Sequence, residues 1–549
     1  MLELTIGQVL EQSAQKYPDN DALVYVDRGL RYSYREFDDI CDRLAKGMMA
    51  LGVKKGDNVA VWAYNVPEWL ILQFGLGKMG SVLVTVNTYY KAHELEYLLK
   101  QSDSTTLFLV GGFKDVNYIE TLYKVVPELK DCEPGKLEAE KAPFLKNVVF
   151  IGEEKHPGMF NFEDILNMAD QVTDEELQNV KDSLDCHEVI NMQYTSGTTG
   201  FPKGAMLSHH NIINNAALIG ERQGLTHVDR YLIPVPFFHC FGCVLSTLNC
   251  VVVGATMVPI EIFDVKKVLE AVQTEKCTAI NGVPTMFIAE LQHPDFDQYE
   301  LSSLRTGIMA GSTCPEEVMV QVMEKMHATE ITICYGLTES SPVLTQTLRD
   351  DNMERRTATV GTPLPHTNVK IVDPETDEEM PPNTPGELVA SGYCIMKGYY
   401  KMPERTAEAI VDGWLHSKDL ATVDEDGYFK IIGRVGDMII RGGENIYPRE
   451  IEEFLYTNEK IMDVSVVGVQ DEKYGEEVMA FIIMKEGQEA TEGEIRQYCL
   501  DNISRFKVPK YIVFVENYPM TASGKIQKYK LREIGTDILE KRGIKVPSK

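Results

Sequence analysis

The run Tyr194-Thr195-Ser196-Gly197-Thr198-Thr199-Gly200-Phe201-Pro202-Lys203-Gly204 concentrates hydroxyls, three glycines and one lysine in eleven residues. Such a stretch suits a loop wrapped around a polyphosphate. Glycine lets backbone N–H groups approach anionic oxygens in conformations closed to other residues, hydroxyls donate further hydrogen bonds, and lysine adds charge. A solvated Ser/Thr/Gly loop is the plain alternative, and Pro202 and Lys203 at this spacing argue against it. Lys203 is followed by Gly204 and no Gly-Lys-Ser/Thr triplet occurs, so this is not the Walker loop and a kinase or GTPase reading is disfavoured.

A chain of 549 residues exceeds what one hydrophobic core organises, so two or more domains are expected. The formal charge of −29 opposes nucleic-acid binding, which requires a basic face, and favours a soluble, cytoplasmic protein. Eleven cysteines are scattered without framework spacing, as in a reducing compartment. Cys240-x-x-Cys243 follows His239 and raises a metal or redox role, but no second pair stands at zinc-finger spacing, so buried thiols are the preferred reading. Residues 231–260 contain no Asp, Glu, Lys or Arg, yet Pro234, Pro236, Gly242, Asn249 and Gly254 interrupt them. They read as the core of an α/β domain rather than a transmembrane segment. Met1-Leu2-Glu3-Leu4-Thr5 has no basic and apolar signal pattern, so no secretory signal is expected.

Apolar residues recur at helical spacing over 7–16 and 34–52, with helical stretches also at 68–79 and 92–102. Between them lie short β-branched runs at 58–63, 82–86 and 106–110. This alternation predicts parallel α/β units. Residues 128–160, rich in proline and charge, read as a surface excursion. Towards the C-terminus, a helix at 448–456, strands at 463–469 and 478–484, a helix at 491–503 and a strand at 511–515 form a separate α+β unit.

Four further motifs join the first loop. Tyr335-Gly336-Leu337-Thr338-Glu339-Ser340, Trp414 to Asp419, Gly433-Arg434 to Pro448, and Pro519-Met520-Thr521-Ala522-Ser523-Gly524-Lys525-Ile526 occur in that order. Together the five resemble the adenylate-forming family of acyl-CoA synthetases, luciferases and peptide-synthetase adenylation domains. The resemblance implies a large multi-subdomain N-terminal α/β domain, residues 1–434, and a small mobile α+β C-terminal domain, residues 435–549. It also implies a reaction. A carboxylate attacks the α-phosphate of Mg²⁺-bound ATP, pyrophosphate leaves, and coenzyme A then takes the acyl group with release of AMP. A carboxylate needs this activation because its oxygen is a poor leaving group, and the enzyme's task is alignment and charge neutralisation.

By this resemblance Lys525 bridges the carboxylate and α-phosphate, Glu339 binds Mg²⁺ and Thr338 bonds phosphate. Thr195, Ser196, Gly197, Thr198, Thr199, Gly200, Phe201, Pro202 and Lys203 hold phosphates. Asp419 and Arg434 take the ribose, and Gly311, Ser312, Tyr335 and Gly336 surround the base, with core packing the alternative for Tyr335. His239 flanks the carboxylate, with a simple core role as its alternative. The acyl pocket is expected from His239, Asn281, Gly282, Val283, Pro284 and Val343. Arg441, Gly442, Gly443 and Glu444 are expected to line the coenzyme A channel, and Gly436 to be the hinge. Two positions depart from the family: Lys418 replaces a common glycine before Asp419, and Gly436 replaces a common Asp or Lys. The motifs look most like medium-chain fatty-acid enzymes. An aryl or branched-chain acid ligase, a carrier-protein-loading enzyme and a non-catalytic nucleotide- or acyl-binding protein stay open, and oligomeric state is not readable.

Overall fold

The computed structural model describes residues 1–547 except 196–201, 313, 435, 442–443, 504, 522–523 and 545, together with the side chains of Glu444 and Asn445. The expected helices and strands of the first hundred residues form as Ile6–Lys16, Tyr34–Ala50, Pro67–Met79 and Ala92–Gln101, with Asn58–Trp62, Val82–Thr85 and Thr106–Leu109 between them. Ser33 begins the second helix because its hydroxyl accepts from the Glu36 N–H while the Glu36 carboxylate accepts from the Ser33 N–H.

Two large sheets follow. The first has seven strands in the order Lys203–Ser208, Val189–Thr195, Val82–Thr85, Asn58–Trp62, Thr106–Leu109, Asn147–Phe150 and Phe160–Asn161. Every neighbour pair is parallel except the first. The second has nine strands. At its centre Arg230–Ile233, Ala279–Gly282, Thr306–Met309 and Thr332–Gly336 run parallel and side by side. Residues 231–260 supply two adjacent parallel strands of this sheet, Arg230–Ile233 and Thr256–Pro259, with wound helical turns between them. Burial on both faces explains their lack of charge. No helix among the described residues is long and apolar enough to cross a membrane.

A third, antiparallel sheet contains Thr367–Val372, Gly386–Gly392, Trp414–Val423 and Phe429–Arg434. A fourth contains Ile461–Asp471, Gly475–Met484 and Tyr511–Phe514, with Pro448–Tyr456 and Glu492–Asn502 as helices. The helix Lys528–Lys541 and the hairpin Ile439–Arg441 with Glu444–Ile446 belong to this last unit and carry no strong periodic signal. Its two apolar clusters draw only on residues from 439 onward.

One expectation is corrected. Residues 128–160 are not wholly a surface excursion, because Asn147–Phe150 is a fully buried parallel strand of the seven-stranded sheet. Its Val-Val-Phe core was obscured by flanking prolines and charges that occupy the turns on either side.

Two buried charges have opposite settings. Lys78, with 0% exposure, sits in the almost wholly buried helix Pro67–Met79 and bonds Asp38 and Asp42, each at 2.6 Å. Glu290 is also buried, but neither carboxylate oxygen has a hydrogen-bond partner among the described residues, and desolvation pushes its pKa up to about 8. Between its ordinary value of 4.5 and about 8 the folded chain keeps a proton that the unfolded chain releases. Stability therefore falls as pH rises through that window, by roughly 1.4 kcal/mol per pH unit at most. Glu290→Met should remove this slope, so its advantage in urea denaturation should grow from pH 5 to pH 8. An advantage independent of pH would contradict a protonated Glu290.

Candidate active site

The parallel strands of the nine-stranded sheet end together, and the site lies outside those carboxyl ends, as open α/β sheets favour. Ile233 leads into Val235, Pro236 and His239; Gly282 leads into Val283; Met309 leads into Gly311; Tyr335 and Gly336 close their own strand. A small cavity opens among Val235, Pro236, His239, Phe241, Val283, Gly311 and Lys525. Gly311 has φ +91°, and a Cβ there would stand 3.0 Å from Val283 and 3.9 Å from the Cε of Lys525. Only glycine meets both conditions at the cavity floor.

Lys525 reaches this place from the C-terminal unit. Its loop is closed by the Thr521 N–H donating to the Lys525 carbonyl at 2.7 Å and the Lys525 N–H donating to the Thr521 hydroxyl at 3.0 Å. Gly524, with φ +79°, lets the loop lie against Val283 and Thr285. Desolvation lowers the pKa of Lys525, with Arg434 adding repulsion and Cys240, Asp419 and Glu339 opposing the shift. Its ammonium makes no ion pair among the described residues. A cation so placed gains most from an incoming anion.

Beside it, antiparallel register sets Asp419 directly opposite Arg434. The Asp419 carboxylate accepts from the Arg434 Nε at 2.7 Å and from the Tyr335 hydroxyl at 2.6 Å. Arg434 is held charged above its ordinary range chiefly by Asp419. Tyr335 is thus anchored through its hydroxyl, which leaves its ring available for stacking. Lys418 is the departure that the sequence flagged, and it adopts φ +60°, the left-handed region that favours glycine. Its N–H donates to Glu387 at 2.8 Å and fixes the turn that aims Asp419.

The strand register also pairs Thr195 with Lys203 at the end of their antiparallel ladder. Ser196, Gly197, Thr198, Thr199, Gly200 and Phe201 lie outside the described residues. The Thr195 hydroxyl is buried with no hydrogen-bond partner among the described residues, an orphaned donor at the end of its strand. Lys203 donates to the Tyr399 hydroxyl at 3.2 Å, and Tyr399 donates to Glu339 at 2.6 Å. Desolvation lowers the Lys203 pKa, opposed by Glu339. The Glu339 Oε2 has no partner among the described residues, which leaves one hard oxygen for a cation such as Mg²⁺. Thr338 lies beside Cys240, its hydroxyl 3.7 Å from the sulfur. Cys240 and Cys243 are buried free thiols.

Tyr399 was not singled out by the sequence. It lies 196 residues from Lys203 and 60 from Glu339, and no spacing rule connects them. The segment carrying it pairs with the strand after the phosphate loop: the Tyr400 N–H donates to Gly204 at 2.8 Å and the Met206 N–H to Gly398 at 3.0 Å.

His239 accepts from the Phe241 N–H through Nδ1 at 3.2 Å, so its proton resides on Nε2. Burial, aided by Lys525, lowers its pKa to about 3 and keeps it neutral. Of the expected acyl-pocket residues, His239 and Val283 line the cavity. Asn281 requires correction: its amide oxygen accepts from Tyr231 and from the Ile308 N–H, and its amide nitrogen donates to Ser246 at 2.8 Å. The side chain is spent on interior bonds. Gly282, Pro284 and Val343 are buried and do not line the cavity, and a Cβ at Gly282 would meet Phe287 at 2.8 Å. At Gly336 a Cβ would stand 1.8 Å from the Pro342 carbonyl oxygen, so its glycine answers to packing. Ser312 follows Gly311 at the same strand end, and Pro202 precedes the strand begun by Lys203.

Arg441 forms a two-pronged pair with Glu477 at 2.6 and 3.1 Å and stacks on Tyr474. Glu477 raises its pKa, first through the hydrogen bond. Gly442, Gly443 and the Glu444 side chain lie outside the described residues. At Gly436 an added Cβ would meet nothing within 4 Å, and the carbonyl accepts from Arg532 at 3.1 Å. Nothing in this arrangement demands glycine there.

Lys418→Gly should relieve roughly 1–2 kcal/mol of left-handed strain, offset by about 1 kcal/mol of added backbone entropy. The variant should melt at or slightly above the parent temperature in calorimetry. A clear loss of stability would show that the lysine side chain holds the turn.

The AMP-binding enzyme family matches residues 10–400, and its AMP-binding enzyme C-terminal domain matches residues 450–525. The chain is 56% identical over 534 residues to YngI of Bacillus subtilis (strain 168), which carries the provisional name acyl-CoA synthetase, with 97% of each chain covered. It is 41% identical over 536 residues to the human mitochondrial medium-chain acyl-CoA ligase ACSF2, covering 96% of this chain and 87% of that one. Among solved structures, the anthranilate CoA ligase AuaEII in complex with anthranoyl-AMP superposes with a TM-score of 0.84 at 26% identity, over 97% of this chain and 98% of that chain. With the strand-end cavity, the Asp419–Arg434 pair and the inserted Lys525 in place, these matches show that the chain belongs to the AMP-binding, adenylate-forming enzyme family.

Proposed function

We infer that the chain is an AMP-forming acid–CoA ligase whose acid is aliphatic and of medium length. The observation carrying this reading is the cavity beneath Lys525: Val235, Pro236, Phe241 and Val283 give it an apolar wall, and one cationic head stands at its edge. That arrangement suits a molecule with a hydrocarbon tail and a carboxylate. The relatives with acyl-CoA synthetase and ligase names support the same class.

In the first half-reaction a carboxylate oxygen attacks the α-phosphorus of ATP and the bond to the bridging oxygen breaks, releasing pyrophosphate. Lys525 offsets the repulsion between two anions, which no neutral side chain does. His239, neutral and protonated on Nε2, adds a donor without adding a competing cation. Asp419 offers its remaining lone pairs to ribose hydroxyls while Arg434 orients the carboxylate. Lys203 and Thr195 fit the phosphate end. Glu339, steadied by Tyr399, would hold Mg²⁺, which when bound neutralises charge on the departing pyrophosphate. In the second half-reaction the thiol of coenzyme A attacks the acyl carbonyl, AMP leaves and the thiol proton passes to solvent. We assign the domain boundary to residue 434, the hinge to Gly436 and the thiol channel to Arg441, Gly442, Gly443 and Glu444. Gly436 supports this because it is free of the static packing that fixes Gly311 and Gly336.

Coenzyme-A-dependent AMP formation should be fastest with straight-chain acids of intermediate length. Higher kcat/KM for benzoate or a dicarboxylate would overturn the substrate assignment. Lys525→Ala should slow acyl-adenylate formation by at least about 10²–10³-fold, the scale of losing one electrostatic stabiliser. Thioester formation from supplied acyl-AMP should largely survive. Equal losses in both half-reactions would remove the basis for a hinge at Gly436 that carries Lys525 away before the thiol step.

A further inference from the structure

Far from the adenylation cavity in sequence, three segments converge at the surface. Glu3, Cys186 and His187 each present one ligand atom, and these atoms lie within 4.8 Å of one another. The Cys186 thiol donates to Glu3 Oε2 at 3.1 Å, and His187 Nε2 is 3.2 Å from the same oxygen. His210 Nε2 stands 3.3 Å from the other oxygen of Glu3, and the His187 and His210 rings lie 4.7 Å apart.

We propose that Glu3, Cys186 and His187, with His210 as the fourth ligand, form a structural zinc(II) site. One thiolate, two imidazoles and one carboxylate are a ligand set that Zn²⁺ accepts. Metal–ligand distances of about 2.0–2.3 Å make the edges of a ligand tetrahedron about 3.3–3.8 Å. The spacings of 3.1 and 3.2 Å from one Glu3 oxygen to Cys186 and His187 are close to such edges, and His210, 3.3 Å from the other oxygen, must turn in to complete the tetrahedron. The scaffold already holds the ligands together. The His210 N–H donates to the Cys186 carbonyl at 2.7 Å, which fixes those two residues side by side. Leu2 is clamped by Asn214, which accepts from its N–H at 2.6 Å and donates to its carbonyl at 2.9 Å, so Glu3 is delivered to the cluster. The His187 N–H donates to Asp185 at 2.8 Å. Binding replaces the Cys186 thiol proton with the metal and releases that proton to solvent. The ion then ties the N-terminal segment to the helix His209–Gln223, which directly follows the strand begun by Lys203.

The test uses the untagged full chain, stripped by chelator and titrated with CoCl2 in excess MgCl2. One equivalent of cobalt should give the visible absorption of a tetrahedral ion and a near-ultraviolet thiolate-to-cobalt charge-transfer band, both displaced by ZnCl2. Cys186→Ser should abolish the charge-transfer band, and His187→Ala or Glu3→Gln should weaken binding at least about tenfold. All three should retain acid-dependent AMP formation, which shows that they fold. Absence of the charge-transfer band in the parent, or its survival in Cys186→Ser, overturns the site. Unchanged affinity in His210→Ala overturns its place as fourth ligand.

Discussion

The carboxylate of Asp419 is where the separate parts of this protein meet. Only 7% exposed, it would be costly to bury alone. It is accommodated by the Tyr335 hydroxyl from the nine-stranded sheet and the Arg434 guanidinium from the last strand before the C-terminal unit. Neither partner is optional: loss of either leaves a buried carboxylate with fewer donors than its charge demands. One polar junction therefore fixes the third sheet against the second and sets the departure point of the chain that returns with Lys525. The left-handed turn at Lys418 is tolerated because Glu387 holds its N–H and the sheet on both sides over-determines the geometry.

The active centre combines two kinds of constraint. Parallel strands bring their carboxyl ends to one edge, which places Val235, His239, Val283 and Gly311 around a common space. Close packing then decides which of them face it. Gly311 and Gly524 permit the lysine loop to approach, whereas Asn281 turns inward because Tyr231, Ile308 and Ser246 consume its hydrogen-bonding capacity. The resulting site is dry enough to lower the pKa values of Lys525, Lys203 and His239, in each case first through desolvation. That is the setting in which two repelling anions gain most from one ammonium.

Polar groups elsewhere follow the same rule with opposite outcomes. Lys78 is charged and satisfied by Asp38 and Asp42, so it pins the helix Pro67–Met79 to Tyr34–Ala50. Glu290 has no partner and stays protonated instead. Burial alone does not determine the state of a charge; the donors within reach do.

The five motifs, the parallel α/β rhythm and the small C-terminal unit were legible in the sequence because each depends on local chemistry: glycine and hydroxyl content, strand periodicity, and the spacing of a lysine within its own turn. The candidacy of Lys525, Asp419, Arg434 and Glu339 as site residues followed from the family resemblance that those motifs carry. What they touch did not. That Tyr399 joins Lys203 to Glu339, that Asn281 is committed to the interior, and that Asn147–Phe150 is a buried strand of the seven-stranded sheet all arise from residues brought together across long separations. Hydrogen-bond partners and packing volume are properties of the assembled fold, so a chain read position by position carries the chemistry of its side chains but not the neighbours that direct it.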